Sequence, residues 1–204
     1  MDNQKEEILQ KIEEAEYVLV GLGQEFDMEF FLQSREDYRR IREQLQQQNV
    51  LWLLPYVEAQ FRKQYMPEME AEIEKGLQKL AKVLEKKSYF VVSSSMNHKL
   101  AEVPWKKMLL KKERFVAPCG DWTKKQCPDG CEEGIQTVTE ADEEQLQESF
   151  KKLQTNGFSV PDLGKCPKCG KKLVLNNVYA GRYDEKGYLK TWTEYQNWLQ
   201  NTLN

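Results

Sequence analysis

At 204 residues and 24.1 kDa, the chain has room for one ordinary globular domain, or one domain with a small insert. With 40% hydrophobic and 31% charged residues it is no disordered segment, and its net charge of -3 gives nucleic acid no broad electrostatic hold. No apolar run approaches the roughly 18 residues that cross a bilayer, and the start Met1-Asp2-Asn3-Gln4-Lys5-Glu6-Glu7 lacks the basic and apolar regions of a signal peptide, so a cytoplasmic protein without membrane partners is expected.

The first predicted element is a helix over Glu6 to Glu16, with Ile8, Ile12 and Ala15 at helical spacing. Tyr17-Val18-Leu19-Val20 then forms a short continuous apolar run ended by Gly21, the pattern of a strand buried on both faces of a parallel sheet. Gly21-Leu22-Gly23 after that strand resembles the opening of a dinucleotide-binding turn, in which glycines let backbone amides approach a pyrophosphate. The third glycine is missing and Glu25 and Asp27 follow, so a simple tight turn competes with that reading. From Glu29 to about Lys87 the spacing is helical, and Pro55 and Pro67 mark helix starts or breaks.

A second strand, Tyr89-Phe90-Val91-Val92, runs into Ser93-Ser94-Ser95, and Arg114-Phe115-Val116-Ala117 is a third candidate, stopped by Pro118. Between them the basic stretch 105–112, with its single aromatic Trp105, reads as an exposed turn or helix face, phosphate or RNA contact being the alternative. Farther on, Leu146, Phe150 and Leu153 predict an amphipathic helix within Glu140 to Leu153.

Five cysteines and a single histidine, His98, are the informative counts. An odd number of cysteines in a reducing compartment argues against a disulfide framework. Cys127-Pro128-Asp129-Gly130-Cys131 and Cys166-Pro167-Lys168-Cys169-Gly170 are two close pairs, each able to curl the backbone around one tetrahedral ion. They predict a closed structural zinc site of four thiolates, with Lys171 and Lys172 offsetting part of its negative charge. The alternative is a redox dithiol, or cysteines buried separately. Cys119 stands alone, with neither a base nor a helix start beside it in sequence, and reads as a passive packed cysteine.

Taken in order, these features resemble a sirtuin: a strand ending in glycines, a helical module, Tyr89-Phe90-Val91-Val92-Ser93-Ser94-Ser95-Met96-Asn97-His98, then Cys119-Gly120-Asp121-Trp122, then two cysteine pairs. The resemblance is strongest to the bacterial sirtuin-like branch that includes protein ADP-ribosyltransferases. It includes Gln126-Cys127, Cys166 to Asn176, and the tail Gly187-Tyr188-Leu189, Trp192, Tyr195 and Trp198-Leu199, and it runs from about Glu13 to the last residue.

The resemblance implies an α/β fold: a Rossmann-like parallel sheet, incomplete at its C-terminal end because sirtuins continue into further strands beyond the segment like 198–204, either by natural shortening or by a cut. It implies a single domain over 1–204, with a helical module at 27–87 and a small zinc-ribbon module at 119–177. NAD contacts would fall to Gly21, Gly23, Ser94, Ser95, Asn97 and His98, and zinc to Cys127, Cys131, Cys166 and Cys169.

Departures from the family concern the catalytic positions Ser95, Asn97 and Cys119. Ser95-Met96-Asn97 stands where sirtuins carry Asn-Ile/Val-Asp, which holds the nicotinamide and its ribose. Cys119-Gly120 stands where deacylases keep the His-Gly pair whose imidazole is the general base. The expectation is therefore a divergent sirtuin-like zinc protein with impaired or lost NAD-dependent catalysis. It would act as a nucleotide-binding or protein-interaction module with a protein substrate or partner subunit. An active ADP-ribosyltransferase or deacylase is the alternative.

Overall fold

The protein is described by a computed structural model covering residues 2–23, 26, 29–97, 112–131, 134–155 and 157–203. His98, Glu25, Asp27 and the basic stretch 105–111 lie outside the described residues. The described elements run α1 (Asp2–Glu14), β1 (Tyr17–Leu22), α2 (Glu29–Gln33), α3 (Glu36–Gln47), α4 (Leu54–Tyr65), α5 (Pro67–Leu84) and β2 (Ser88–Ser93). They continue through β3 (Phe115–Val116), β4 (Gly120–Gln126), β5 (Gln136–Thr137), α6 (Glu140–Gln154), β6 (Val174–Asn177) and α7 (Leu189–Leu203). The architecture is mixed α/β with two sheets: a parallel one in the order β1-β2-β3 and an antiparallel one in the order β5-β4-β6.

Strand periodicity sorts the parallel sheet into two covered faces. On one, Val18, Val20 and Leu22 lie in register with Tyr89, Val91 and Ser93, and this side packs on Ile73, Leu77, Ala81 and Leu84 of α5. On the other, Phe90 and Val116 meet Trp198, flanked by Trp192, Tyr195 and Leu199 of α7. The aromatic tail thus anchors a helix to the sheet. Tyr17 and Leu19 share that second face but sit on the edge strand, about half exposed at 50% and 51%, so β1 is a strand but lacks the burial on both faces that its continuous apolar run leads one to expect. Gly21 is in β1 rather than after it: its backbone pairs opposite Val92, which requires no side chain, so the strand extends to Leu22.

Pro55 and Pro67 occupy the first turns of α4 and α5, where the missing amide costs nothing because first-turn amides have no helical acceptor. The helices α3 and α4 enclose the largest core, in which Leu32, Tyr38, Ile41, Leu45 and Phe61 pack with Leu146, Phe150 and Leu153 of α6. Arg62 and Glu70 form a buried ion pair at 2.9 Å that ties α4 to α5. The same core includes Cys127 and Cys166, so the cysteine region is fused to the helical layer. Asn177, fully buried on β6, adds a hydrogen bond from its Nδ2 to the carbonyl of Trp52 at 3.0 Å.

Helix α6 begins with a capping box: Thr139 Oγ1 accepts from the amide of Asp142, and the Asp142 carboxylate accepts from the amide of Thr139. That carboxylate also receives Lys125 Nζ at 2.8 and 2.7 Å, and Lys125 reaches the Leu163 carbonyl as well. Burial works to raise the Asp142 carboxyl, but the Lys125 ammonium and the Thr139 amide and hydroxyl outweigh it and hold it below its ordinary value of 3.8. A carboxyl depressed by folding stabilises fully above its ordinary value, and the contribution disappears as pH falls through the lower folded one. Asp142→Asn leaves Lys125 buried without its counter-charge, which costs about 3 kcal/mol at neutral pH. Urea unfolding at pH 7 should show that loss, and the gap between wild type and variant should close in acid.

Candidate functional site

The two cysteine pairs converge from separate supports. Cys127 follows β4 directly, and its turn closes through the amide of Gly130 to the Cys127 carbonyl at 3.0 Å. Cys166 and Cys169 lie on a turn just before β6, closed by the amide of Gly170 to the Cys166 carbonyl at 2.8 Å and by the amide of Cys166 to the Lys171 carbonyl at 2.8 Å. Gly170 has φ 74°, a left-handed conformation that side chains disfavour, which explains the glycine after the last cysteine. The four sulfurs lie within 4.8 Å of one another, with Cys127 and Cys169 at 3.5 Å. Tetrahedral zinc with Zn–S bonds of about 2.3 Å sets its sulfurs about 3.8 Å apart, so the cluster has the dimensions of such a site.

The donor chemistry points the same way. Four soft sulfur ligands suit zinc rather than a hard cation such as magnesium or calcium. Burial works to raise the Cys127 thiol, but the amides of Cys131 and Asp129 and the thiols of Cys169 and Cys166 bring it down to about 7. Cys131 is pushed up to about 12, first by its hydrogen bond to Cys127 and then by desolvation. One sulfur is therefore ready as thiolate while its neighbour retains its proton, an arrangement that a metal ion completes by displacing protons. Lys171, expected to offset the cluster's charge, bridges the two turns to Asp129 at 2.8 Å and also feels the charge of Cys169 and Cys127.

The residues singled out for a nucleotide gather at the carboxyl ends of the parallel strands. Gly21 is the penultimate residue of β1 and Gly23 follows it, and Ser94, Ser95 and Asn97 follow β2. Ser94 donates its amide to the Leu22 carbonyl at 2.9 Å, and Asn97 Nδ2 donates to the Phe26 carbonyl at 2.9 Å, so the two segments are stitched together. Ser94 is exposed, whereas Ser95 and Asn97 are buried at 2% and 3%. Ser95 Oγ accepts from the amide of Asn97 at 3.1 Å, so the Ser95 side chain holds the loop's own shape while that of Asn97 ties the loop to the segment after β1. Cys119 comes just after β3, half-buried, with its carbonyl accepting from the amide of Val178.

Two clefts lie elsewhere. One of about 700 Å³ is lined by Arg35, which precedes α3, and by Asp37, Arg39 and Arg40 on it. The other, of about 440 Å³, opens at the amino ends of the parallel strands beside Tyr17, Ser88, Arg114 and Trp198.

Among the polar groups that support the cysteine cluster, sequence reading misses Lys125 and Asp142 and names Gln126 and Asn176 only through the family resemblance, without their pairing. All four are buried. Their signal is spatial: Lys125 is satisfied by Asp142, and Gln126 by Asn176, which lies 50 residues away. No protein-family model matches the chain, and no curated protein matches it.

The cluster should bind one zinc per chain, measured by elemental analysis of purified protein. Cys166→Ala should lower zinc affinity by well over tenfold, whereas Cys119→Ala should leave it unchanged. Because binding displaces thiol protons, affinity should rise with pH through neutrality, and competition with a chromophoric chelator at several pH values checks the sign.

Proposed function

We propose that this chain is a sirtuin-like zinc-binding protein in which a Rossmann-like parallel sheet forms a nucleotide-binding or protein-interaction module with impaired NAD-dependent catalysis. The observation that carries the reading is the gathering of the Gly21 to Gly23 and Ser93 to Asn97 segments at the carboxyl ends of adjacent parallel strands, with Cys119 following the third. Sheets of this kind bind nucleotides in that crevice. The inward bonding of Ser95 and Asn97 supports the impaired-catalysis part. Cleavage of a nicotinamide–ribose bond passes through an oxocarbenium-like state that needs side chains aimed at the ribose, and these two aim at the chain itself.

The thiolate cluster, Cys127, Cys131, Cys166 and Cys169, would hold zinc with no open position. Bound there, the ion supplies a cross-link and no chemistry on a substrate. What the chain's residues contribute is support. Lys125 and Asp142 brace one side of β4, and Gln126 and Asn176 the other.

Calorimetry with NAD and ADP-ribose, paired with a nicotinamide-release assay, tests the reading. The expected outcome is heat of binding with ADP-ribose and nicotinamide release no faster than in protein-free solution. Turnover would establish instead the alternative, an active ADP-ribosyltransferase or deacylase. Absence of binding by both ligands would remove the nucleotide part and leave the interaction module.

A further inference from the structure

Gln126 immediately precedes the candidate ligand Cys127, and on β4 it points to the opposite face from Lys125. It is fully buried, as is nearly all of Asn176 on the neighbouring strand β6. Asn176 Nδ2 donates to Gln126 Oε1 at 2.6 Å and to the Asp184 carbonyl at 2.9 Å. The amide of Asp184 returns a bond to Gln126 Oε1 at 3.0 Å, and Gln126 Nε2 donates to the Arg182 carbonyl at 2.6 Å. Two buried side-chain amides thus hold the backbone at 182 and 184.

That backbone launches α7. Asp184 caps the short 3-10 turn Glu185–Gly187 by accepting from the amide of Lys186 at 3.1 Å, and the amide of Trp192 bonds to the Tyr188 carbonyl at 3.0 Å as the helix begins. Lys124, two residues before Gln126 and on the same face of β4, donates Nζ to the Gly187 carbonyl. The fit is close: a Cβ on Gly187 would stand 2.1 Å from Asn176 Oδ1. Once launched, α7 lays Tyr195 and Trp198 against Phe90 with ring centroids 5.2 and 5.9 Å away, and Trp198 Nε1 donates to Ser88 Oγ at 2.9 Å.

The ladder that carries the amide pair is short. Near the cysteines, β4 and β6 pair only at Lys125 with Leu175 and Gln126 with Val174, and a register irregularity separates these from the next pair, Gly120 with Asn177. A metal ion joining Cys127 to Cys166 and Cys169 would clamp that end from outside.

We propose that the metal centre sets the docking of α7 on the parallel sheet through the buried amides of Gln126 and Asn176, which act as positioning residues between the two sheets. This rests on the zinc reading of the cysteine cluster. Metal occupancy then determines how firmly α7 covers Phe90 and Val116, while the pairing of the parallel strands themselves stands without it.

Hydrogen exchange read by mass spectrometry, together with zinc content, tests this in wild type, Asn176→Leu and Gly187→Ala. In wild type, stripping zinc with a chelator should reduce protection of α7 amides at least tenfold while the β1 and β2 amides keep most of theirs. Each variant should retain one zinc per chain, yet show the same tenfold loss in α7 with zinc bound and little further loss on chelation. The Gly187 substitution disturbs the contact from the helix side, far in sequence from any cysteine, and so stands independently if Asn176→Leu fails to fold. Unchanged α7 protection after zinc removal, a variant with zinc and wild-type protection, loss of zinc from Gly187→Ala, or uniform loss of protection over both sheets would each overturn the coupling. A wild-type chain that takes up no zinc would instead refute the metal reading itself, an outcome the zinc measurement separates from the others.

Discussion

The constraint on which the rest depends is the convergence of four sulfurs from two turns that are 34 residues apart between Cys131 and Cys166. A small antiparallel sheet of short strands has little apolar area with which to hold itself together. Here Cys127 and Cys166 belong to the main hydrophobic core, so closing the cluster also fixes β4 and β6 against the helical layer. Metal ligation there would act on the same stretches of backbone that side-chain packing already holds.

From that anchor β4 distributes order in two directions. Lys125 faces α6 and the carbonyl of Leu163, while Lys124 and Gln126 face the turn that begins α7. Strand alternation alone produces this division. The cost of burying such polar groups is met because each has a charge-bearing or hydrogen-bonded partner, and breaking one pair leaves the other group stranded in a poorly solvating interior.

How much of this could be read from residues alone depends on where each element finds its partners. The central strand at Tyr89 is legible because both of its faces are covered, which demands a continuous apolar run, whereas β1 carries such a run although it is an edge strand with one face half exposed. Helix starts at Pro55 and Pro67, the helix from Glu140 and the paired cysteines carry local signals of equal clarity. By contrast β4, with Asp121, Lys124, Lys125 and Gln126, has no apolar alternation to betray it. Its buried positions are polar, and their partners lie 17 and 50 residues along the chain. Ser95 and Asn97 show the same limit at the crevice. Their positions are legible, but that Ser95 bonds to its own loop and Asn97 to the carbonyl of Phe26 is a matter of three-dimensional geometry.

The pairing of β1 with β2 joins residues 71 apart in sequence, Tyr17 opposite Ser88 and each successive residue likewise. During synthesis β1, an uncharged apolar hexapeptide, leaves the ribosome several seconds before its partner exists, at ordinary elongation rates. The helices α2 to α5 occupy that interval, and folding them draws the two strand sites together by shortening the loop that must be closed. Until they have formed, the strand's unpaired edge is available to any other extended chain nearby. Chaperone dependence in the newborn protein should thus be concentrated in its first ninety or so residues.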